Sequence, residues 1–418
     1  MTGFSTSSIF RSARDQALAV IALTALGHFA LELAHSFLPV VYPLLQARLG
    51  LSYTQIGLVA LASASATTLA QPLFGHLSDR WDPRRVAAWS VTWLAAVIGL
   101  VGLLGSYPLL LGVVILAGLG SAAFHPAAAT VASYASRASR RKGAAMSIFS
   151  VGGNLGAALS PLLMALALHR FGLAATLLVI PVGLLVGGAL WTGFRNGLGA
   201  RQGQAKEAAG PIQASALGLA LVVLATMSRS WFQVTLMTYL PTWLEAQGRP
   251  LLYGGQMLFA FSVSVGGGSL LGGALSDRVG RWPVMLGCLA LLAPAFGLFL
   301  AVSGPVQMLL AGAMGLLVGG TFPVAVVMAQ EVWPRGAGFA AGVVMGLGWW
   351  PGGIGASLTG WLADRIGLNA ALGFLLLPPL VGAGAMAFFA WRFARTDRPR
   401  GSVNPQGSAS SQVEPGSS

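Results

Sequence analysis

A chain of 418 residues that is 55% hydrophobic and only 8% charged is not a soluble globular protein, which carries roughly 25% charged residues. Uncharged runs of about 18 or more residues recur along it, each long enough to cross a bilayer as a helix. The net charge of +13 would suit nucleic acid only if it were gathered into a patch, and it is not.

Twelve apolar spans are expected at about 17–44, 54–77, 86–105, 108–134, 143–168, 173–194, 214–243, 252–275, 283–303, 305–330, 338–362 and 369–391. With the N-terminus in the cytoplasm, 19 of the 24 Lys and Arg fall on the cytoplasmic side, four on the other (Arg48, Arg170, Arg249, Arg365), and Arg229 lies inside a span. That bias is the positive-inside pattern of a multi-pass protein with both termini cytoplasmic. The charge therefore reports topology, and the expected partner is the lipid bilayer of the cell inner membrane, not nucleic acid. The single Cys288 can form no internal disulfide and no zinc site by itself. The first span is too long, with the wrong flanks, for a cleaved secretory signal.

In the first span, His28, Glu32 and His35 are spaced i, i+4, i+7 and share one helical face. An ionisable group at bilayer depth costs about 2.5–3.5 kcal/mol on insertion scales and marks a cavity or a partner. Function is the default reading for Glu32, with a structural polar contact as the competing one. The same spacing is compatible with a divalent metal, but three ligands from one helix are a weak signal, and neither a metal nor a cofactor is expected.

After the second span comes Gly75-His-Leu-Ser-Asp79-Arg80-Trp-Asp82-Pro-Arg84-Arg85, and 198 residues later Gly273-Ala-Leu-Ser-Asp277-Arg278-Val-Gly-Arg281. A repeat of that length divides the chain into two homologous halves, a recurring transporter plan. The expected units are a tail (1–16), a first six-helix bundle (17–194), a cytoplasmic linker (195–212), a second bundle (213–394) and a tail (395–418) too poor in apolar groups to fold.

The fourth span carries Phe124-His125-Pro126 and its repeat partner is Phe322-Pro323. A proline inside a span removes a backbone donor and loosens the helix, which a cavity-lining helix tolerates. His125 reads equally as a buried structural histidine and as part of a transport site. The fifth span, Gly152-Gly153-Asn154-Leu-Gly156 to Ser160-Pro161, matches Gly352-Gly353-Ile-Gly355 after Trp349-Trp350. Its glycines suit close helix packing, and Asn154 could bond across helices or line the pathway.

In the seventh span, Ser228-Arg229-Ser230-Trp231-Phe232-Gln233 places a permanent cation in the apolar layer. Glu331 ends the tenth span and is expected to pair with Arg278 or Arg281. Gly266-Gly267-Gly268 follows no strand, which rejects a nucleotide-binding loop. His-Glu-x-x-His is absent from the sequence, and no nucleophile is placed with its base, so an enzyme is not expected.

The repeated loop resembles the cytoplasmic signature of the major facilitator superfamily, with Asp82-Pro83 where the family has glycine. This resemblance implies an all-α polytopic membrane protein of the major facilitator fold, with 12 transmembrane helices in two pseudo-symmetric six-helix halves. It implies gating roles for Asp79, Arg80, Arg84, Asp277, Arg278, Arg281 and Glu331. The fifth-helix antiporter motif is matched in part, since Ser160 stands where glycine is usual.

More narrowly, His28-x-x-x-Glu32, Tyr42-Pro43-Leu44-Leu45, Gln55-Ile56-Gly57, Gln71-Pro72, Phe124-His125-Pro126, Gly152-Gly153-Asn154-x-Gly156, Arg229-Ser230-Trp231 and Gln330-Glu331-x-x-Pro334 resemble the fosmidomycin-resistance branch. That branch has aspartate at the Glu32 position, and glutamate and arginine where Ala127 and Thr130 stand here. The resemblance implies a proton-coupled exporter, an antiporter of small organic molecules or drugs, working as a monomer. An importer or facilitator of the same fold is the alternative. Glu32 is the only acid well inside a span and is the expected proton carrier. His28, His125, Asn154, Arg229 and Gln233 are the expected substrate-binding residues. With the first, fourth and seventh helices converging as the family implies, Arg229 would face the Glu32 carboxylate or an anionic substrate group.

Overall fold

A computed structural model describes residues 13–139, 142–195, 215–346 and 348–393. Almost all of the expected linker (195–212), most of the N-terminal tail and the tail from 395 lie outside the described residues. Every regular element among the described residues is helical, as expected where backbone polar groups must be satisfied within each segment.

The first half contains α1 (Ala13–His35), α2 (Leu38–Leu49), α3 (Tyr53–Arg80), α4 (Pro83–Ile98), α5 (Tyr107–Ser139), α6 (Lys142–Phe171) and α7 (Val179–Arg195). The second contains α8 (Ala216–Ala246), α9 (Leu251–Val279), α10 (Arg281–Ala301), α11 (Pro305–Gly319), α12 (Phe322–Val332), α13 (Ala337–Gly346), α14 (Trp350–Ile366), α15 (Leu368–Gly373) and α16 (Leu377–Phe393). Four spans are split: α1–α2, α11–α12, α13–α14 and α15–α16 each make one crossing. Ten stretches are individually long and apolar enough to cross a membrane. One of them, the 48-residue stretch Ser147–Phe194, is two crossings that meet where Gly172 takes a left-handed φ of 56°. The α13–α14 pair adds the remaining crossing, so the twelve expected segments are all present.

The splits follow prolines. Pro39 near the start of α2 has no N–H to give the carbonyl one turn back and disfavours helix in the residue before it. The first span, expected to run unbroken, therefore stops at His35. The two proline motifs of the fourth and tenth spans behave differently. α5 runs through Pro126 without a break, whereas Gly319-Gly320-Thr321 ahead of Pro323 ends one helix and starts another. Gly lowers helix propensity by about 1 kcal/mol relative to Ala, and the α5 copy has Ala122-Ala123 at the corresponding place.

The halves join mainly through two symmetry-related pairs, α3 against α14 and α6 against α9, and α2 also packs on α8. Small residues make these contacts possible. A Cβ on Gly57 would strike Ala356 O and Ser357 Cα, one on Gly360 would strike Tyr53 O, and one on Gly255 would strike Pro161 O. The named contacts between halves end at Trp350 Nε1–Ser65 Oγ, 3.0 Å, and at Asn154 beside Gly266. Beyond them, toward the repeated loops, Leu69, Leu73, Leu270, Leu271 and Leu275 are exposed. The halves thus meet at the end carrying Tyr53 and Asp364 and part toward the end carrying Asp82 and Asp277.

Candidate transport site

Glu32 sits near the end of α1, between two imidazoles from different helices. Its Oε1 lies 3.9 Å from His28 Nε2, one turn back on α1, and 3.6 Å from His125 Nε2 on α5. Its Oε2 accepts a hydrogen bond from Ser36 Oγ at 3.1 Å. The His28 side chain is 13% exposed, that of Glu32 18% and that of His125 28%. The cluster is therefore neither sealed in the core nor on an open surface.

The surroundings hold His28 in one orientation. Its Nδ1 donates to the Phe149 carbonyl at 2.9 Å, so Nε2 is the nitrogen left facing Glu32. The ring stacks on Phe149 with centroids 4.3 Å apart, tilts against Phe124 and meets His125 edge-on at 5.2 Å. Gly153 leaves the room this requires, since a Cβ there would overlap the imidazole. Gly152 and Gly156 likewise bring α6 against the backbone of α1 at Ala25 and Phe29, which is the packing role expected of them.

The face-sharing expected from the sequence holds only in part. His35 turns away from the cluster and bonds Ser63 Oγ of α3 at 3.0 Å. His125, from a different helix, takes the place that spacing alone would have given to His35. Among the described residues, His28, Glu32 and His125 are the group whose potential ligand atoms lie within 4.8 Å of one another.

Arg229 does not join them. It is 2% exposed and held within its own half: Nη1 donates to Gln233 Oε1 at 2.6 Å and Nη2 to the Gly348 carbonyl at 2.8 Å. The rings of Phe322 and Trp349 lie 5.1 and 5.8 Å from its guanidinium carbon. Its Nε is buried without a partner among the described residues. Helices α1 and α5 converge on Glu32, then, while the seventh span carries a separate polar cluster. Asn154 is exposed and faces Gly266 of the opposite half.

At the loop end, charges pair within each half. Arg281 bonds Asp277 and Ser276, and its Nε lies 3.3 Å from Glu331 Oε1, the pairing expected of Glu331. Arg84 pairs with Asp82 at 3.1 Å. Arg80 and Arg278 are exposed, and the Asp79 side chain lies outside the described residues. The carboxylate seen at a helix start is Asp82, which caps α4 by accepting from the Arg84 N–H at 3.0 Å. The residue that departs from the family signature thus has a local task of its own.

Two residues went unnoticed in the sequence. Asp364 of α14 caps α3, accepting from the N–H groups of Tyr53 and Thr54 at 2.8 and 2.9 Å and from the Thr54 hydroxyl at 2.5 Å. Tyr239 of α8 donates to the Tyr53 carbonyl at 2.7 Å. Both bridge the halves at the end away from the repeated loops. Ser52-x-x-Gln55 is a legible capping box, but nothing in the sequence says that a carboxylate 310 positions later completes it.

Comparison with known proteins agrees with this architecture. The family model of the Major Facilitator Superfamily matches residues 24–305 and 222–416. The chain is 27% identical over 377 residues to the fosmidomycin resistance protein of Escherichia coli (strain K12), covering 87% of this chain and 91% of that one. It is 30% identical over 384 residues to the uncharacterised MFS-type transporter YfnC of Bacillus subtilis (strain 168), with the same coverage. Among solved structures, a bacterial homologue of the human lysosomal transporter Spinster, in an inward-facing and occupied conformation, superposes with a TM-score of 0.74 at 16% identity, over 91% of this chain and 97% of that one. A point mutant of the nucleoside transporter NupG superposes with a TM-score of 0.70 at 15% identity, over 91% of this chain and 100% of that one. The chain belongs to the Major Facilitator Superfamily.

Proposed function

We propose that the protein is a proton-driven exporter of small organic molecules, with Glu32 as the group that exchanges the proton. The observation carrying this reading is the position of Glu32: an acid in a span, partly exposed, flanked by imidazoles from two helices. Burial favours the neutral carboxyl, whereas water or a nearby cation favours the carboxylate. A carboxyl that alternates between such surroundings as the halves rock takes up a proton on one side and releases it on the other.

His28 and His125 orient and tune that exchange. Asn154 and the Arg229–Gln233 pair offer polar contacts to substrate from elsewhere along the pathway. The loop-end charges, Asp79, Arg80 and Arg84 with Asp277, Arg278, Arg281 and Glu331, form the gate that opens and closes as the halves rock. With both termini cytoplasmic in the inner membrane, the cleft between the halves opens inward. Export is favoured over import by the relative named for fosmidomycin resistance.

Growth of an efflux-deficient bacterium expressing the protein, across a panel of toxic compounds that includes fosmidomycin, tests the reading. Resistance to at least one compound, and export of that compound stopped by a proton uncoupler, is the expected result. Sensitisation to panel compounds would point to import instead, and uncoupler-insensitive export would remove the proton. Reporter fusions after Arg201 and after Arg249 are expected to report opposite sides of the membrane.

A further inference from the structure

We propose that His28, Glu32 and His125 form a three-ligand site for a divalent transition-metal ion of the zinc–cobalt–nickel class. The two Nε2 atoms lie 3.9 and 3.6 Å from the same carboxylate oxygen. Ligand atoms on a tetrahedral zinc ion sit about 3.3 Å apart, given bond lengths near 2.0–2.1 Å. Rotation of the Glu32 carboxylate and a shift of the His125 ring are the movements that would close that gap.

Features beyond the three ligands also point to an ion. His28 gives its Nδ1 proton to the Phe149 carbonyl, the outer-shell bond that leaves Nε2 with a free lone pair in metal-binding histidines. Ser36 holds the second carboxylate oxygen. The His28 ring is locked by the Phe149 stack and by the space at Gly153, so little ordering remains to be done on binding. All three side chains are partly exposed, which leaves room for a water or a substrate atom as fourth ligand, the pattern of open rather than closed sites.

Two imidazoles with one carboxylate suit zinc, cobalt or nickel, whereas magnesium and calcium prefer oxygen donors. The repeat does not copy the set. In the second half, His28, Glu32 and His125 correspond to Arg229, Gln233 and Phe322, and a guanidinium and a phenyl ring cannot ligate. The ion needs Glu32 as the carboxylate and so excludes the proton there; this consequence rests on the proton-exchange reading above, while the binding itself rests on geometry alone.

Titration of tag-free purified protein in detergent with Co²⁺ near neutral pH, followed by its visible d–d absorption and by displacement with Zn²⁺, tests the site. One Co²⁺ per chain is expected. Glu32→Gln and His125→Gln should each weaken binding by at least about 10- to 100-fold, since outer-shell losses alone reach that range. His35→Gln and His76→Gln should leave it unchanged, and all variants are to be checked for a monodisperse elution profile. No saturable binding, or wild-type binding by a monodisperse His125→Gln protein, would overturn the proposal. So would loss of binding in His35→Gln, which would place the ion on the single-helix face instead. The assay needs no gradient. Binding without proton coupling would therefore sink only the transport reading, and coupling without binding only this one.

Discussion

His28 and Arg229 stand at equivalent positions of the two halves, 201 residues apart, and each is clamped in the same way. His28 bonds the Phe149 carbonyl and packs against Phe124 and Phe149. Arg229 bonds the Gly348 carbonyl and packs against Phe322 and Trp349. The correspondence continues one turn on, where Glu32 beside His28 becomes Gln233 beside Arg229. One polar device has been duplicated with the fold; it is titratable in the first half and fixed in charge in the second.

This division predicts separable defects. Arg229→Gln removes a charged donor from a buried network, where such bonds contribute about 1.5–3 kcal/mol. For a substrate bearing an anionic group, the half-saturating concentration should rise about 10- to 100-fold, while the pH dependence of transport stays as in the wild type. Concentration series at several pH values in proteoliposomes measure both. A changed pH dependence with unchanged saturation would reverse the assignment of the two halves.

Gly153→Ala puts a methyl group into the space of the His28 ring and should displace it. A correctly inserted protein with transport slowed about 10- to 100-fold is expected, in line with the cost of misplacing a reacting group by about 1 Å. Gly188→Ala, which meets open space, is the control and should transport at the wild-type rate. If the two variants behave alike, the orientation of His28 is immaterial.

Asp364 caps α3 across the interface between halves, and removal of a helix cap costs about 0.5–2 kcal/mol. Asp364→Ala should therefore shift the balance toward the opposite conformation by about 2- to 30-fold. Spin labels at Ala47 and Gln247, exposed positions of the two halves at that end, should show a larger population of long distances. An unchanged distance distribution would reduce Asp364 to a local cap.

Arg281 gathers Asp277, Ser276 and Glu331 at the mouth of the second half. Exposed ion pairs contribute only about 0–1 kcal/mol each, so Arg281→Ala should leave thermal stability close to that of the wild type. Transport should nevertheless slow, and by more than in Asp277→Asn or Glu331→Gln, because Arg281 touches all three partners. A wild-type rate in Arg281→Ala would leave the cluster as a topology anchor.

What the sequence made legible follows from what repeats in it. Apolar run length placed every span, and the copied loop placed the halves. The breaks at Pro39 and Pro323 were only partly readable, because the same proline is tolerated at Pro126 where alanines precede it. Within the site, helical spacing brought His28 to Glu32 but also offered His35, and only the packing of α5 on α1 chose His125. Asp364 was invisible for the same reason: its partners are on a helix 310 positions away, and no local pattern encodes that pairing.

Proton exchange at Glu32 is tested most directly in inverted membrane vesicles carrying a pH gradient. Addition of fosmidomycin, or of whichever compound the growth panel identifies, should dissipate part of the gradient, read from the fluorescence of a pH-sensitive acridine dye. Glu32→Gln vesicles with equal protein content should show no such dissipation while still exchanging labelled compound across the membrane, and Glu32→Asp should retain part of it. Full dissipation by Glu32→Gln would contradict the account and move the proton to another group, with His125 the next to test.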